Sequence, residues 1–169
     1  MLSDIETKIV ERIKAKVTQP RDVDIQKAHS ALITPAVFVI IGNGRFNKVA
    51  QKFKLEASVY ITVEFKNMKG EEERRKGIYP IFEAIVACLL FQNLGLSIDP
   101  LVPVNFQNVT EEEEAKAGKI LFQIEFKTGF IIEEVTDEVI TDLLKIGLNY
   151  YLKPGDDVVD ASDLVTLGV

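Results

Sequence analysis

Apolar residues recur at helical spacing at the start of the chain. Leu2, Ile5, Ile9, Ile13 and Val17 form one stripe, and Glu6, Lys8, Glu11, Arg12 and Lys14 fill the opposite face, which predicts an amphipathic helix. Ser3 and Glu6 stand at capping-box spacing, and Thr18-Gln19-Pro20 closes the helix. Residues 22–25 alternate too briefly to settle a strand. Ala36 to Ile41 is a continuous apolar run rich in β-branched residues, and it predicts a buried strand. Gly42-Asn43-Gly44 follows it and reads as a turn between two strands.

The next stretch alternates strictly. Phe53, Leu55, Ala57, Val59, Ile61, Val63 and Phe65 interleave with Lys54, Glu56, Ser58, Tyr60, Thr62, Glu64 and Lys66, the period of a strand with one apolar and one polar face. Such a strand reaches about 40 Å. A helix then carries Ile78, Ile81, Phe82, Ile85, Leu89 and Phe91 on its apolar face, with Pro80 in an early turn or at a kink and its end near Gly95. Leu101 to Val109 reads as an edge strand, because Pro100 and Pro103 remove ladder donors. Thr110 to Gly118 reads as an acidic loop. A second long alternation sets Ile120, Phe122, Ile124 and Phe126 against Lys119, Gln123, Glu125 and Lys127. Thr136 begins an expected third helix, with Val139, Ile140, Leu143, Leu144, Ile146 and Tyr150 as its stripe. The pattern as a whole predicts an α+β fold with a mainly antiparallel sheet, helices packed on one face and long protruding strands. Residues 1–153 form the expected single domain, and 154–169 an acidic tail or extension.

Composition narrows the function more by exclusion than by assignment. The 169 residues are 47% hydrophobic and 27% charged, the balance of a folded globule. A net charge of −6 argues against nucleic-acid binding, which needs clustered Lys and Arg; the clusters Arg74-Arg75-Lys76 and Lys48 to Lys54 are local exceptions. Cys88 is the only cysteine and His29 the only histidine. No intramolecular disulfide can therefore form, and no Cys–His or Ser-His-Asp motif links them. Met1 to Val17 is too charged for a signal peptide, and Ile78 to Leu96 is too interrupted to span a bilayer. These features lead us to expect a soluble protein that stays inside the cell that makes it.

Candidate sites are few. Gly42-Asn43-Gly44 lacks the third glycine of a dinucleotide fingerprint and the Gly-Lys-Ser/Thr of a P-loop. Glu111, Glu112, Glu113 and Glu114 are consecutive, so their side chains diverge instead of enclosing a cation. Asp156, Asp157, Asp160 and Asp163 lack the spacing of a calcium loop. We therefore expect no catalytic residue, no metal site and no cofactor. A strand of about 40 Å outgrows the sheet that a domain of this size covers, so its projecting end must pair with something or be protected.

Here the chain resembles a known family. Met1-Leu-Ser-Asp-Ile-Glu, Pro35-Ala-Val-Phe-Val, Gly77-Ile-Tyr-Pro-Ile-Phe-Glu-Ala-Ile, Leu94-Gly-Leu-Ser-Ile-Asp-Pro-Leu and Ile120-Leu-Phe-Gln-Ile-Glu-Phe-Lys-Thr, in that order over residues 1–130, are similar to the Mu-like phage and prophage tail proteins. Genes of this family lie just ahead of the sheath and tube genes of contractile tails. The resemblance implies a virion assembly protein like the tail terminators, α+β subunits that form a hexameric ring at the head-proximal end of the tail tube. Its implied partners are other copies of itself, the tail tube, and sheath or head-connector proteins, first in the host cytoplasm and then in the virion or tail-like particle. A head–tail joining adaptor is the alternative within the same particle, and a small-molecule enzyme of unknown type the alternative outside it. Tyr60, Thr62, Glu64, Lys66, Gln123, Glu125 and Lys127 are the candidate self-association residues, together with segment 70–76. Glu111 to Glu114, or the acidic tail, are candidates to face a DNA channel or a ring neighbour.

Overall fold

The computed structural model describes residues 1–25, 34–133, 145–150 and 161–166. The element order is α1 (Leu2–Lys16), β1 (Asp22–Ile25), β2 (Ala36–Val49), β3 (Lys52–Lys66), α2 (Glu71–Leu89), β4 (Val102–Asn108), α3 (Glu112–Lys116), β5 (Lys119–Ile132), β6 (Lys145–Tyr150) and β7 (Ala161–Thr166). Two compact units emerge, Met1–Ile132 and Glu133–Val169. The expected boundary after residue 153 falls inside the second of them.

The first unit is built on a five-stranded sheet of order β1-β2-β3-β5-β4. Only the short β1 runs parallel to its neighbour; the other pairings are antiparallel. β3 and β5 are central and pair over their full lengths, from Phe53 opposite Ile132 to Lys66 opposite Lys119. The odd-numbered residues of β3 and the even-numbered residues of β5 share a face, as the alternation requires. On it Val59, Ile61, Val63, Ile120, Phe122, Ile124 and Phe126 are buried. α1 packs on β1 and β2, α2 packs on β3 and β5, and the two helices touch each other. Ile5, Ile9 and Ile13 of α1 and Ile78, Ile85 and Leu89 of α2 are fully buried in the same core.

Local chemistry differs from the sequence reading in several places. α1 begins at Leu2, so Ser3 lies within it and no side chain caps its first amides. Glu6 instead reaches the sheet and accepts a hydrogen bond from the Ile41 amide at 2.8 Å. Pro80 lies in the interior of α2, where it removes the bond that would otherwise reach the Lys76 carbonyl. The helix ends at Leu89, leaving Phe91 beyond it, 66% exposed and at positive φ.

Gly42-Asn43-Gly44 is not a turn. β2 runs through it with a bulge between Ile41 and Asn43. The glycines serve close approach: a Cβ on Gly42 would lie 2.7 Å from the Tyr60 ring, and one on Gly44 would lie 2.9 Å from the Glu56 carbonyl oxygen. The reversal occurs at Ala50-Gln51, between the paired Val49 and Lys52, with Ala50 at φ 56°. A two-residue hairpin loop of this kind needs positive φ, which costs an alanine roughly 1 kcal/mol.

The acidic loop also contains structure. Glu112–Lys116 is a short helix, and the Glu114 carboxylate accepts from the Glu111 amide at 2.9 Å, one half of a capping box. In the second unit the expected third helix is not found where it can be assessed. Residues 134–144, with Thr136, Val139, Ile140, Leu143 and Leu144, lie outside the described residues. Ile146 and Tyr150 lie in β6, which pairs antiparallel with β7. β7, Ala161–Thr166, lies within the stretch expected to be an acidic tail or extension.

Candidate assembly surfaces

The hydrophobic pattern of β3 and β5 places their polar residues on the sheet face opposite the helices. Because the two strands are neighbours, the self-association candidates come together on one surface. Tyr60 stands directly opposite Glu125 and Thr62 opposite Gln123. Gln123 Nε2 donates to Thr62 Oγ1 at 3.3 Å, and Asn43 Nδ2 donates to the Tyr60 hydroxyl at 2.9 Å. Ser58, which sequence reasoning did not single out, donates its hydroxyl to Glu125 at 2.7 Å. Lys66 and Lys127 are exposed at the two ends of this face, whereas Tyr60, Thr62, Gln123 and Glu125 are half-buried. Glu64 differs from the rest. It is 1% exposed, and its carboxylate lies 2.9 Å from the Lys119 ammonium, at ion-pair distance but without the alignment of a directed hydrogen bond. Its position makes it an internal anchor between β3 and β5.

The charges of segment 70–76 are engaged locally. Glu71 pairs with Arg75, and Lys76 with both Glu72 and Glu73, along exposed turns of α2. Arg74 turns inward, donating to the Asn67 carbonyl at 3.1 Å. Two of the four consecutive glutamates are also engaged within α3: Glu114 in the cap, and Glu112 with Lys116 at 2.7 Å. Glu111 and Glu113 stay exposed.

A third surface emerges only in three dimensions. The distal ends of β2, β3 and β5 run beyond the helices as a three-stranded blade. Across it Phe46, Leu55 and Phe130 form one row, and Lys48, Phe53 and Ile132 the next. These rows continue the apolar face of the core, yet Phe46 is 62% exposed and Phe53 51%. The long alternation of residues 53–65 signalled one strand of the blade; Phe46 gave no such sign, because Gly42-Asn43-Gly44 hides the continuation of β2.

The concavities on the first unit are open and of mixed polarity, such as one of about 350 Å³ lined by Glu71, Arg74, Thr110, Glu111 and Lys119. Among the described residues no group of three or more His, Cys, Asp or Glu side chains is placed to hold a metal ion, and no helix is long and apolar enough to cross a membrane. His29 lies outside the described residues. Burial pushes the Cys88 thiol above its ordinary pKa, opposed by the Arg12 charge; Arg12 Nε donates to the Cys88 carbonyl at 2.6 Å. A thiol held in its protonated form is a poor nucleophile. Iodoacetamide should therefore modify Cys88 more slowly in the native protein than in urea at the same neutral pH. Equal rates would show that the site is open and reactive.

The family described as "Bacteriophage Mu, Gp37" matches residues 1–131. The chain belongs to that family. The match ends within a residue of the first compact unit. No curated protein sequence matches the chain. Among solved structures, a chain of the "Virion of native gene transfer agent (GTA) particle" has a similar fold, with a TM-score of 0.63 at 12% identity, over 78% of this chain and 98% of that one. At that identity the likeness concerns the fold. The α+β architecture expected from the sequence is thus shared with a chain of that virion.

Proposed function

We propose that this Gp37-family protein is a non-enzymatic structural subunit of a phage or phage-like particle, and that it acts as a tail terminator, forming a homo-hexameric ring at the head-proximal end of the tail tube. Family membership supports the particle, and the shared fold of a virion chain is consistent with it. The observation that carries the assembly reading is the blade: β2, β3 and β5 extend an apolar face past the helices that cover the rest of it, leaving Phe46 and Phe53 exposed. Exposed apolar surface continuous with a core marks a protein contact. A ring closes when such a contact is heterologous and its rotation divides a full turn. On this reading the polar face bearing Tyr60, Thr62, Gln123 and Glu125 lies beside neighbouring subunits or the tube, and Glu111 and Glu113 face the DNA channel or a ring neighbour.

Deletion of the gene tests the role. Loss of a terminator leaves overlong tail tubes, and complementation restores their length. Finished tails that remain unattached to heads would instead identify a head–tail joining adaptor, the second reading. The purified chain, of 18.9 kDa, is expected to reach the mass of a hexamer in light scattering, alone or when tail tubes are added. A monomer under both conditions would rule out the ring.

A further inference from the structure

Charge on the first unit is unevenly placed along α2. Beyond its last turn a groove of about 320 Å³ lies between α1 and the segment that follows Leu89. Lys8, Arg12 and Lys16 line one wall at successive turns of α1, and Gln92 and Asn93 line the other. Glu11 is the one carboxylate among the lining residues, and it pairs with Lys8 at 2.8 Å. Arg12 donates to a neutral acceptor, the Cys88 carbonyl. The far wall offers no compensation, because the sequence carries no charged residue between Glu83 and Asp99. Three cations thus face one anion here, and Lys8 and Lys16 are exposed.

That neutral wall is fixed in place. Phe91, Leu94 and Gly95 stand at φ 57°, 60° and 72°, a region that costs a non-glycine residue roughly 1 kcal/mol or more. The Phe91 amide donates to the Leu101 carbonyl and the Leu101 amide to the Gln92 carbonyl, both at 2.9 Å. Such strain persists where the surroundings over-determine the chain, and a wall already ordered loses little entropy when a partner binds. Groups that complement the groove stand at the other end of α2. There α3 lies beside the first turn of α2, since Glu71 and Arg74 share a concavity with Glu111 and Glu112. The 19 residues of α2 set the two ends about 28 Å apart. Glu112 pairs with Lys116 and Glu114 accepts from the Glu111 amide, whereas Glu111 and Glu113 are exposed. A basic surface at one end and an acidic one at the other suit a head-to-tail contact between identical chains.

We infer that the groove takes the carboxylates of Glu111 and Glu113 from α3 of a second copy, joining the chains head to tail. This inference rests on the assembly reading above and gives these glutamates a ring neighbour, not the DNA channel, to face. A groove of this size admits side chains but not a helix about 10 Å across, so α3 lies over it and its glutamates reach in. The contact is heterologous, the kind that closes a ring. Its charged part sets partner choice and association rate, and is screened by salt.

Charge exchange in the full chain tests the contact, with sedimentation as the readout, alone and with tail tubes added. Lys8→Glu with Lys16→Glu reverses the groove, and Glu111→Lys with Glu113→Lys reverses α3. All four sites are exposed, and circular dichroism checks that each variant folds. Each variant alone should associate at least about 10-fold more weakly than the original chain. An equimolar mixture should recover, because the reversed groove then meets the reversed α3, and the native groove the native α3. If a double variant does not fold, Lys16→Glu and Glu113→Lys are exchanged in the same way. The inference is overturned if either variant alone associates like the original chain, or if folded variants do not recover on mixing. When the original chain self-associates in those cases, only this contact fails and the ring stands. A chain that stays monomeric at every concentration and in the presence of tail tubes overturns both.

Discussion

Phe126→Ala is expected to destabilise the first unit by about 3–5 kcal/mol, the range for removing a buried aromatic ring and leaving a cavity. Phe126 is 0% exposed, and in the middle of β5 it stands directly opposite Val59 of β3. It therefore joins the central strand pair to the rest of the core, and its neighbours are held on both sides by sheet hydrogen bonds that limit collapse into the void. Since whole domains are stable by only about 5–15 kcal/mol, this change should shift the urea midpoint by more than 1 M for a slope of about 1–3 kcal/mol per M. Phe46→Ala is the comparison, because Phe46 is 62% exposed and should alter the unfolding of the monomer by no more than about 0.5 kcal/mol. Equal costs at the two positions would contradict the assignment of one aromatic to the core and the other to an uncovered blade.

A second large effect is expected at the ion pair inside the sheet. Lys119→Met should cost about 3 kcal/mol, because it removes the Lys119 cation from beside the buried carboxylate of Glu64. The side chains of Lys119 and Glu64 are 13% and 2% exposed, so water screens them little. Adding Glu64→Leu to Lys119→Met should recover most of the loss, since an apolar pair of similar volume needs no compensation for desolvation. The measurement is a double-mutant cycle in urea. If the two single substitutions simply add, the two residues are not coupled and the pair is not the anchor described here. Glu71→Ala, which opens the exposed pair with Arg75, should leave stability essentially unchanged because solvent already screens it.

Glu64 illustrates how far the sequence could be read. Its place in the alternation put it correctly on the polar face of β3, with Tyr60, Thr62 and Lys66. Alternation assigns a face but not a depth, and only the tertiary structure, by bringing Lys119 beside it, made it internal. The same limit applies to Glu111 to Glu114. Their charge was legible, but the hydrogen bond from the Glu111 amide to the Glu114 carboxylate, which makes the segment a capped helix, is a property of backbone geometry. Gly42-Asn43-Gly44 carried a turn signal that the fold overrode, because β3 runs on as a partner for β2 on both sides of the bulge, and the Tyr60 ring and the Glu56 carbonyl left no room there for Cβ atoms.

The sequence by itself determined the amphipathic helix α1, the apolar stripe of α2, the two long central strands, the edge position of β4 and the family to which the chain belongs. All of these rest on local periodicity, on the backbone limits of proline or on the order of short segments, which a single chain displays without its partners. Tertiary structure alone decided that β3 and β5 are neighbours, that their polar residues form one face, and that Phe46 joins Phe53 on a blade. It also decided that Ile146 and Tyr150 lie in a strand and not in a helix. A short apolar run of that kind suits either period, and the choice was made by hydrogen bonds to Ala161–Thr166, a segment remote in sequence whose pairing no local pattern encodes.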